Sequence, residues 1–484
     1  MKLLKSILLA GSGSMALLSV VHAADLPTKK GAPAAIPVLA SCTNVQDFFT
    51  TACPLTYYGV TFYGTVDVGG GYQTEGAPLN RNIISGVEEL IQKNSHQAQY
   101  TLIPNGLSQS NVGVKVAEHL FGDLSFVGQA EFGFDPYTLS LANGPASNHD
   151  NTNLPLAAQS SVGDSSRAGQ WDNSQGFFGL SSKAYGALTW GRQNSLTLDG
   201  INAYDPMGLS YAYSVIGYSG ATGGFGDTED ARSNTAAKYR LTIPAGSTAV
   251  RFGALAQTGG FEQGNGANAE YQGQIGADFY GFSFDAIYSY AKDAVSMGAY
   301  NGAPPAGVPL GAVKVTLSDD SSVMLLAKYT WNQFKFYGGF ENIEFQNPSD
   351  SYGATAAKNG GPITTLGGFD GYVQKFAYSN PKTLQVYWGG LKYAITPDLD
   401  VTGAYYHYHQ LNFSTASCAH TFTSAAAANC DGTLDAVSGM LDWRFAKKFD
   451  VYAGVMFSEV NNALASGYLH HTTADPSAGL RFRF

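Results

Sequence analysis

The chain alternates apolar and polar residues with a period of two along most of its length. In the segment DLSFVGQAEFGFD, apolar residues occupy one parity from Leu124 to Phe134, and polar residues occupy the other. Residues two apart lie on the same face of a β-strand, so this pattern predicts a strand with one apolar and one polar face. The pattern returns in GFSFDAIYSYAK and VMLLAKYTW, and no comparable segment keeps the 3.6-residue period of a helix. The sequence therefore predicts an all-β protein.

Two kinds of connection separate the alternating segments. Short turns that contain Gly, Pro, Asn or Asp occur at seven places, among them LFGDL, AYGAL and WNQFK. Eight long stretches rich in Gly, Asn, Ser and Pro lie between them, so the connections separate sixteen strands of about ten residues each. The predicted long loops are residues 75–107, 136–172, 193–231, 259–268, 293–318, 344–381, 413–432 and 461–474.

An even number of amphipathic strands, with short turns at one end and long loops at the other, is typical of an outer-membrane barrel. Hydrocarbon offers no water to backbone N–H and C=O groups, so a sheet can span a membrane only if it closes on itself. We therefore expect a sixteen-stranded antiparallel β-barrel with apolar faces toward lipid and polar faces toward a lumen. A soluble sandwich or propeller is the alternative, but the uniformly apolar outward faces and long strands argue against it.

The N-terminus has the composition of an export signal. Two lysines within residues 1–5 precede a moderately apolar stretch over residues 7–21, and small or aliphatic residues stand at the −3 and −1 positions before Ala24. A retained anchor is the alternative, but glycines and serines at 11–14 interrupt a stretch that is already short. No run of about 18 apolar residues follows, which excludes a helical membrane protein. The predicted organisation is a signal peptide over residues 1–23, a periplasmic lead-in over 24–56 and a transmembrane barrel over 57–484.

Composition excludes several other classes. Only 13% of residues are charged, whereas there are 58 Gly, 29 Tyr and 28 Phe, a balance rich in strand and turn formers. With 27 basic and 37 acidic residues the net charge is −10, and no basic run occurs, so we expect no nucleic-acid partner. No shift in composition divides the chain after about residue 56, which favours a single architecture.

The four cysteines fit an exported protein. Cys42 lies close to Cys53 in sequence and Cys418 lies close to Cys430, without His or acidic residues at metal-ligand spacing. Two local disulfides, Cys42–Cys53 and Cys418–Cys430, are the simplest pairing in an oxidising compartment. A structural zinc site is the alternative, and the lack of CxxC spacing argues against it.

Residue types that support catalysis occur without the required context. His407 and His409 share a strand face and His470 and His471 lie in a loop, with no acidic or thiolate partner at fixed spacing. No serine is marked out as a nucleophile, and the Gly-Gly pairs lack the strand-to-helix setting of phosphate-binding loops. We therefore predict no enzymatic activity, no cofactor and no metal.

Several motifs, in order along the chain, resemble the general diffusion porins of Gram-negative outer membranes, with the closest likeness to the neisserial and betaproteobacterial type. VTFYGTVDVGGGY is similar to the first strand of that family, and SNVGVKVAEHLFGDLSFVGQAEFGFD is similar to its second hairpin. FFGLSSKAYGALTWGRQ resembles its fourth and fifth strands, and SAGLRFRF resembles its terminal strand. The stretch ADLPTKKGAPAA looks more like the start of alphaproteobacterial porins. The likeness covers residues 57–484.

The resemblance implies a water-filled channel, usually a homotrimer, for passive diffusion of small hydrophilic solutes and ions across the outer membrane. It implies outer-membrane lipid and the barrel assembly machinery as further partners, with Phe482 and Phe484 as the assembly signal. A substrate-selective channel and a structural or adhesive barrel remain as alternatives.

The family also implies that the third long loop, residues 193–231, folds inward and narrows the pore. Strand parity places basic side chains on the lumen wall, where an acidic loop opposite them would create a transverse field. The parity of Arg192 matches Leu188 and Trp190, so either a bulge changes its register or it lies at the extracellular rim. The predicted acidic residues of the constriction are Asp199, Asp205, Asp227, Glu229 and Asp230. The predicted basic wall residues are Lys115, Lys238, Arg240, Arg251, Lys328 and Arg192, with Lys335, Arg444, Arg481 and Arg483 also on the lumen parity and the last two farthest from the constriction.

Overall fold

A single sheet of twenty strands makes up most of the computed structural model, which describes residues 41–74, 98–137, 139, 153–154, 174–216, 232–258, 269–298, 303–348, 361–366, 369–373, 380–415, 418, 429–465 and 470–484. The predicted signal peptide over residues 1–23 lies outside the described residues. None of the helices in the described ranges is long and apolar enough to cross a membrane.

The sixteen longer strands of the described residues form a wall in which each is antiparallel to its neighbours. They are β2 (Val60–Gln73), β4 (Ser110–Phe121), β5 (Leu124–Phe134), β6 (Gly176–Ser182), β7 (Gly186–Asn194), β8 (Arg232–Ala245), β9 (Thr248–Thr258), β10 (Ala269–Phe279), β11 (Phe282–Gly298), β12 (Val313–Trp331), β13 (Phe334–Gln346), β16 (Lys382–Thr396), β17 (Leu399–Gln410), β18 (Gly432–Ala446), β19 (Phe449–Asn462) and β20 (Thr472–Arg483). The shorter elements are β1 (Leu55–Tyr57), β3 (Gln99–Pro104), β14 (Gly361–Leu366), β15 (Phe369–Val373), the helices α1 (Val45–Thr50) and α2 (Leu196–Tyr204), and a 3-10 turn (Ala463–Ala465).

The first and last wall strands close the barrel. Strand β2 pairs with β20 from Thr65 opposite Arg483 to Gly71 opposite Ser477. Along its other edge, β2 pairs first with β4 and then with β3. Closure gives each wall strand two neighbours, which satisfies the backbone groups that lipid cannot. The predicted closed sixteen-stranded antiparallel barrel is confirmed.

Seven short turns join the described wall strands at one end and eight longer connections join them at the other, in agreement with the prediction. Tyr280 and Gly281 connect β10 to β11 and have φ values of 47° and 86°, as a two-residue hairpin turn requires. The longer connections contain more strand than predicted, because β3, β14 and β15 lie within predicted loops and β11 and β12 extend into residues 293–318. Beyond the membrane a strand can pair without an apolar face, so its sequence lacks the alternation used for prediction.

The outward faces of the strands form the expected apolar belt. Val323, Leu325 and Trp331, for example, are each close to half exposed on the outer face of β12. Near the short-turn end, aromatic rings follow one another around the wall, and we call this row the periplasmic girdle because short turns face the periplasm in such barrels. Its ring centroids lie 4.7 to 6.0 Å apart from one residue to the next, through Trp443, Phe445, Phe449, Phe482, Phe484 and Phe62.

The hydrophobic core of the protein lies inside the barrel. Apolar side chains on the inner faces of β11 to β19 pack against residues of the loop that follows β7. We expected polar inner faces throughout, and this part of the wall differs because the inward loop buries it. The wall contributes Ile287, Met324, Leu326, Ile343, Phe345, Leu384, Val386, Trp388, Ala404, Tyr406, Tyr408, Leu434, Ala436, Met440, Tyr452, Met456 and Val460, and the loop contributes Leu196, Ile201, Tyr204, Met207, Tyr211, Ala212, Tyr213, Val215 and Ile216.

Both predicted disulfides are present. Cys42 is bonded to Cys53 with Cα atoms 5.1 Å apart, and Cys418 is bonded to Cys430 with Cα atoms 5.8 Å apart. The first closes a short segment beside the end of β20, and the second belongs to the connection between β17 and β18.

Candidate functional site

The inward loop begins with a capped helix. Ser195 is the N-cap of α2, and its Oγ accepts a hydrogen bond of 3.0 Å from the backbone N–H of Leu198. Leu196 and Ile201 are fully buried against the wall, and the N–H of Leu196 donates to Gln272 Oε1 at 2.5 Å. A serine cap followed by an apolar helix face therefore turns the chain away from β7 and into the lumen.

The loop then runs through the lumen in contact with the wall. Trp388 of β16 donates from Nε1 to the carbonyl oxygen of Tyr204 at 3.1 Å. A Cβ atom at Gly390 would lie 2.5 Å from Pro206, so glycine at this position allows the loop to approach the strand. Farther along, the Tyr213 hydroxyl donates to the carbonyl oxygen of Ser477 in β20 at 2.8 Å. Residues 195–216 are thus fixed to β10, β16 and β20 of the wall.

A bend between β3 and β4 receives the far end of this loop. The hydroxyl of Ser210 and the N–H of Ala212 both donate to the carbonyl oxygen of Gly106, at 2.7 and 2.9 Å. Asp67 of β2 holds the bend because its carboxylate accepts the N–H groups of Leu107 and Ser108 at 2.8 and 2.9 Å. The same carboxylate accepts the hydroxyl of Tyr452 at 2.6 Å. We did not predict this anchor, although Asp67 has lumen parity in VTFYGTVDVGGGY.

One predicted loop acid meets two predicted wall bases. Asp199 forms salt bridges with Lys238 and Arg240, which lie two residues apart on the inner face of β8. Burial alone raises the pKa of the Asp199 carboxyl, but the two adjacent cations outweigh it and hold that pKa below its ordinary value. Lys238 also donates to the carbonyl oxygen of Asn194 at 2.7 Å. The ionised carboxylate of the loop is therefore set directly against the cationic wall.

A second charge cluster joins the hairpin of β8 and β9 to the hairpin of β10 and β11. Arg251 forms salt bridges with Asp278 and with Asp285, the latter at 2.9 Å. Tyr204 of α2 donates to Asp285 at 2.5 Å. Gln274 links the clusters, because it accepts from Arg240 at 3.2 Å and donates to Asp285 at 2.9 Å. The partners of Arg251 are wall acids that we did not single out, although strand parity places both on the lumen side.

Asp205 has a different environment from Asp199. It is 3% exposed and accepts hydrogen bonds from the Tyr406 hydroxyl at 2.7 Å and from the N–H of Leu209 at 2.7 Å. Burial raises the pKa of its carboxyl, with these hydrogen bonds acting in the opposite sense. Asp205 therefore follows α2 as a buried cap that fixes the loop to β17 rather than lining the lumen.

The other predicted bases occupy separate positions. Lys115 lies with Nζ 4.4 Å from the ring centroid of Tyr63, and the Tyr63 hydroxyl donates to Glu131 at 2.8 Å. Lys328 donates to the carbonyl oxygen of Ala203 at 3.2 Å, so it contacts α2 directly. The predicted acids Asp227, Glu229 and Asp230 lie outside the described residues.

Arg192 lies at a bulge. The pairing of β7 with β8 shifts register between Gly191 and Gln193, which is one of the two alternatives that the sequence left open. Its guanidinium donates to the carbonyl oxygen of Ser174 at 3.1 Å and to Asn234 at 2.6 Å. These contacts are at the long-loop end of the wall.

Three further arginines with lumen parity form ion pairs near the short-turn end. Arg481 and Arg483 both contact Asp450, at 3.1 and 2.6 Å. Arg444 contacts Asp400 at 2.8 Å and also pairs with Asp442 of its own strand. Arg481 also donates to the hydroxyl of Ser108 at 3.3 Å, in the bend between β3 and β4, and the distance of Arg481 and Arg483 from the constriction stays a prediction.

The paired histidines lie on the outer face of the wall. His407 and His409 contact Asp435 and Asp431, each at 2.8 Å. Within the described ranges, no group of three or more His, Cys, Asp or Glu side chains is arranged to hold a metal ion.

A closed antiparallel barrel with an apolar outer belt and an inward loop defines an outer-membrane channel. A profile of the Gram-negative porin family matches residues 32–463, and the chain belongs to this family. It is an outer-membrane porin, as the sequence motifs predicted.

Solved porin structures share the fold. The anion-selective porin from Comamonas acidovorans has a TM-score of 0.53 at 15% identity, over 88% of this chain and 99% of that chain. OmpT expressed in the outer membrane of Vibrio cholerae has a TM-score of 0.52 at 14% identity, over 89% of this chain and 100% of that chain. A trimer form of in-vitro folded OmpT has a TM-score of 0.50 at 14% identity, over 88% and 99%. A comparison with curated protein sequences found no match.

Proposed function

We propose that this porin allows small hydrophilic solutes and ions to diffuse passively through a lumen that residues 195–216 narrow. The observation that carries the proposal is the position of Asp199 on the inward loop, against Lys238 and Arg240 of the wall. Because Asp199 contacts both bases directly, these charges form one polar patch beside the aqueous path rather than two separate sides of it. A charged, hydrogen-bonding patch of this kind favours hydrated polar solutes, and apolar solutes gain little from it.

The constriction we propose consists of Asp199 on the loop and of Lys238, Arg240 and Arg251 on the wall. Asp278 and Asp285 add two carboxylates of the wall to this constriction. Lys328 holds α2 in place by its hydrogen bond to the carbonyl oxygen of Ala203. The ion pairs of the two clusters contain three cations and three carboxylates, which balance in charge, so we expect weak ion selectivity from this part of the lumen. The groups counted are Lys238, Arg240, Arg251, Asp199, Asp278 and Asp285. The family favours transport over catalysis, and we infer no enzymatic activity.

We also propose a homotrimer. A solved structure with the same fold is described as a trimer form. The broad apolar belt offers enough outer surface for one part to contact neighbouring subunits while the rest contacts lipid. Phe482 and Phe484 remain our candidates for the assembly signal, because both rings are on the outer face at the end of the last strand.

A substrate-selective channel is the second candidate. The apolar core inside β11 to β19 restricts the aqueous path to the remaining part of the lumen, and a restricted path favours discrimination among solutes. Such a channel would show conductance that one solute blocks in a saturable way.

Reconstitution into planar bilayers tests the proposal. We expect open-channel steps in groups of three, ohmic current and a small reversal potential in a salt gradient. Absence of current in correctly folded protein would exclude a pore, and steps without triplets would contradict the trimer. Saturable block by one solute among many would favour the selective channel.

A further inference from the structure

The segment before the barrel, residues 41–57, forms a compact unit that we call the N-terminal clasp. The Cys42–Cys53 disulfide links the two stretches of chain that flank α1. Asn44 caps the helix by accepting from the N–H of Asp47 at 2.8 Å, and the Asp47 carboxylate accepts the N–H of Thr43 at 2.9 Å. The clasp therefore has a defined shape of its own.

Pairing with β2 fixes the clasp next to the C-terminal end of β20. Gly64 and Phe484 exchange two backbone hydrogen bonds of 3.0 Å, and Leu55 of β1 pairs with Phe62 on the same edge of β2. The strand β1 thus takes the pairing positions that follow Phe484. From the turn between β18 and β19, Lys448 donates to the carbonyl oxygen of Cys53 at 3.0 Å.

Aromatic contacts place α1 on the lipid-facing side. Phe48 meets Phe482 and Phe484 edge-on, with centroids 6.2 and 6.3 Å apart. Phe49 stacks on Phe482 at 6.3 Å and 25°. Phe482 and Phe484 belong to the periplasmic girdle and share the outward parity of Leu480. The helix therefore adds two rings to the girdle where the barrel closes.

The same face of α1 is still open. Val45 is 74% exposed and Phe49 is 48% exposed, and with Phe48 they have the i, i+3, i+4 spacing of one helix face. Asp47 is the only charged side chain within residues 41–62, and Thr43 and Thr51 bind its carboxylate on another side of the helix. Lys448 places its Nζ 4.0 Å from the ring centroid of Phe48, so one cation lies beside this face. An apolar face that continues an aromatic girdle is suited to the headgroup boundary of a bilayer.

We propose that α1 is a membrane-interface anchor whose Val45–Phe49 face contacts phospholipid of the periplasmic leaflet. Lipid is the occupant because the face is continuous with the girdle, which is itself the boundary of the lipid-facing surface of this outer-membrane barrel. The lead-in segment, for which the sequence assigned no function, then extends the anchoring ring across the closure between β2 and β20.

Photocrosslinking tests the proposal in the full chain. The variant Val45→p-benzoylphenylalanine is reconstituted in vesicles of phosphatidylethanolamine and phosphatidylglycerol, irradiated and analysed by mass spectrometry. Gln46→p-benzoylphenylalanine is the matched control, because Gln46 is exposed on the adjacent side of the same helix. Heat-modifiable electrophoretic migration and an intact Cys42–Cys53 bond show that both variants are folded.

We expect a phospholipid adduct at position 45 and none above background at position 46. A chain-to-chain crosslink as the main product at position 45 would assign the face to a second copy and overturn the proposal. Equal adduct at the two positions, or none at either, would also overturn it.

Discussion

Asp199 and Asp205 lie six residues apart in one loop, yet their surroundings give them different functions. Asp199 pairs with two cations of the wall, whereas Asp205 is enclosed and hydrogen-bonded to Tyr406 and to the loop backbone. A charge can act on permeating ions only where the aqueous path reaches it. We therefore propose that Asp199 contributes to ion selectivity and that Asp205 stabilises the fold of the loop.

The substitution Asp199→Asn should shift ion selectivity toward anions, because Lys238 and Arg240 lose their common counter-charge. Two unit charges that lie 4 Å apart in water interact by about 1 kcal/mol, so loss of this interaction with a permeating ion corresponds to about a fivefold change in relative permeability. The reversal potential in a salt gradient measures the shift. Asp205→Asn is the matched control and should leave that potential unchanged, and an equal shift in both variants would contradict the assignment.

Strand parity was sufficient to predict which bases face inward, but not which acids they meet. Lys238, Arg240 and Arg251 have inward parity in the sequence, and the structure agrees. The partner of the first two depends on the path of the loop, which Trp388 fixes from a strand almost two hundred residues away. Local patterns do not contain such a long-range contact.

At the scale of elements, the bend between β3 and β4 acts as a support for the inward loop. Asp67 gathers three donors from two parts of the chain, and the loop backbone docks on Gly106 next to them. Because this anchor and the Trp388 contact hold the loop at two separate points, we expect a constriction that is rigid on the timescale of ion passage.

The substitution Asp67→Ala should loosen this support. It leaves three donors without their acceptor, and each buried donor left unsatisfied costs about 1–3 kcal/mol. We expect larger current fluctuations in single-channel records and a lower unfolding temperature. Tyr213→Phe, which removes the two hydrogen bonds between the Tyr213 hydroxyl and Ser477, should have a smaller effect on both. Quiet channels in the Asp67 variant would show that the loop is held in another way.

The two disulfides offer a matched comparison between elements. The double substitution Cys42→Ser and Cys53→Ser opens the N-terminal clasp, and loss of a crosslink across a loop of about this length costs about 3 kcal/mol in the chain-entropy model. We expect the barrel of this variant to unfold at a lower temperature in detergent. Cys418→Ser with Cys430→Ser changes an extracellular connection away from the barrel closure and should affect that temperature less. The opposite order would argue against a stabilising contact between the clasp and the last strand.

At the scale of the whole molecule, we infer a narrow path for solutes, because the interior core and the inward loop occupy part of the lumen. Liposome swelling should therefore be fast for the smallest neutral sugars and should fall steeply as solute size increases. The same assay over a range of sugar concentrations distinguishes two cases. The swelling rate remains proportional to the gradient in passive diffusion, whereas it reaches a plateau if a selective site binds the sugar. A weak dependence of swelling rate on solute size would contradict a narrow path.

The architecture was predictable from the sequence, whereas the interior core was not. Alternation and turn residues specify strands, their number and their outward faces, because lipid imposes one apolar side on every strand. The core depends on which inner faces the loop covers. Strand β16 does contain a signal, since Leu384, Val386 and Trp388 place apolar side chains on the lumen parity. Such a row in a barrel strand indicates a wall covered from within.

The dry interior also divides the barrel into two halves with different access to water. From β11 to β19, lipid covers one face of the wall and the packed loop covers much of the other, whereas the inner faces of β4, β5 and β8 carry charged side chains such as Lys115, Glu131 and Arg240. Backbone amides exchange with solvent only when water and catalyst reach an opened hydrogen bond. Deuterium should therefore enter β4 to β8 first and the central residues of β16 to β18 last, so that the barrel, although continuous in hydrogen bonding, exchanges as a slow half and a fast half.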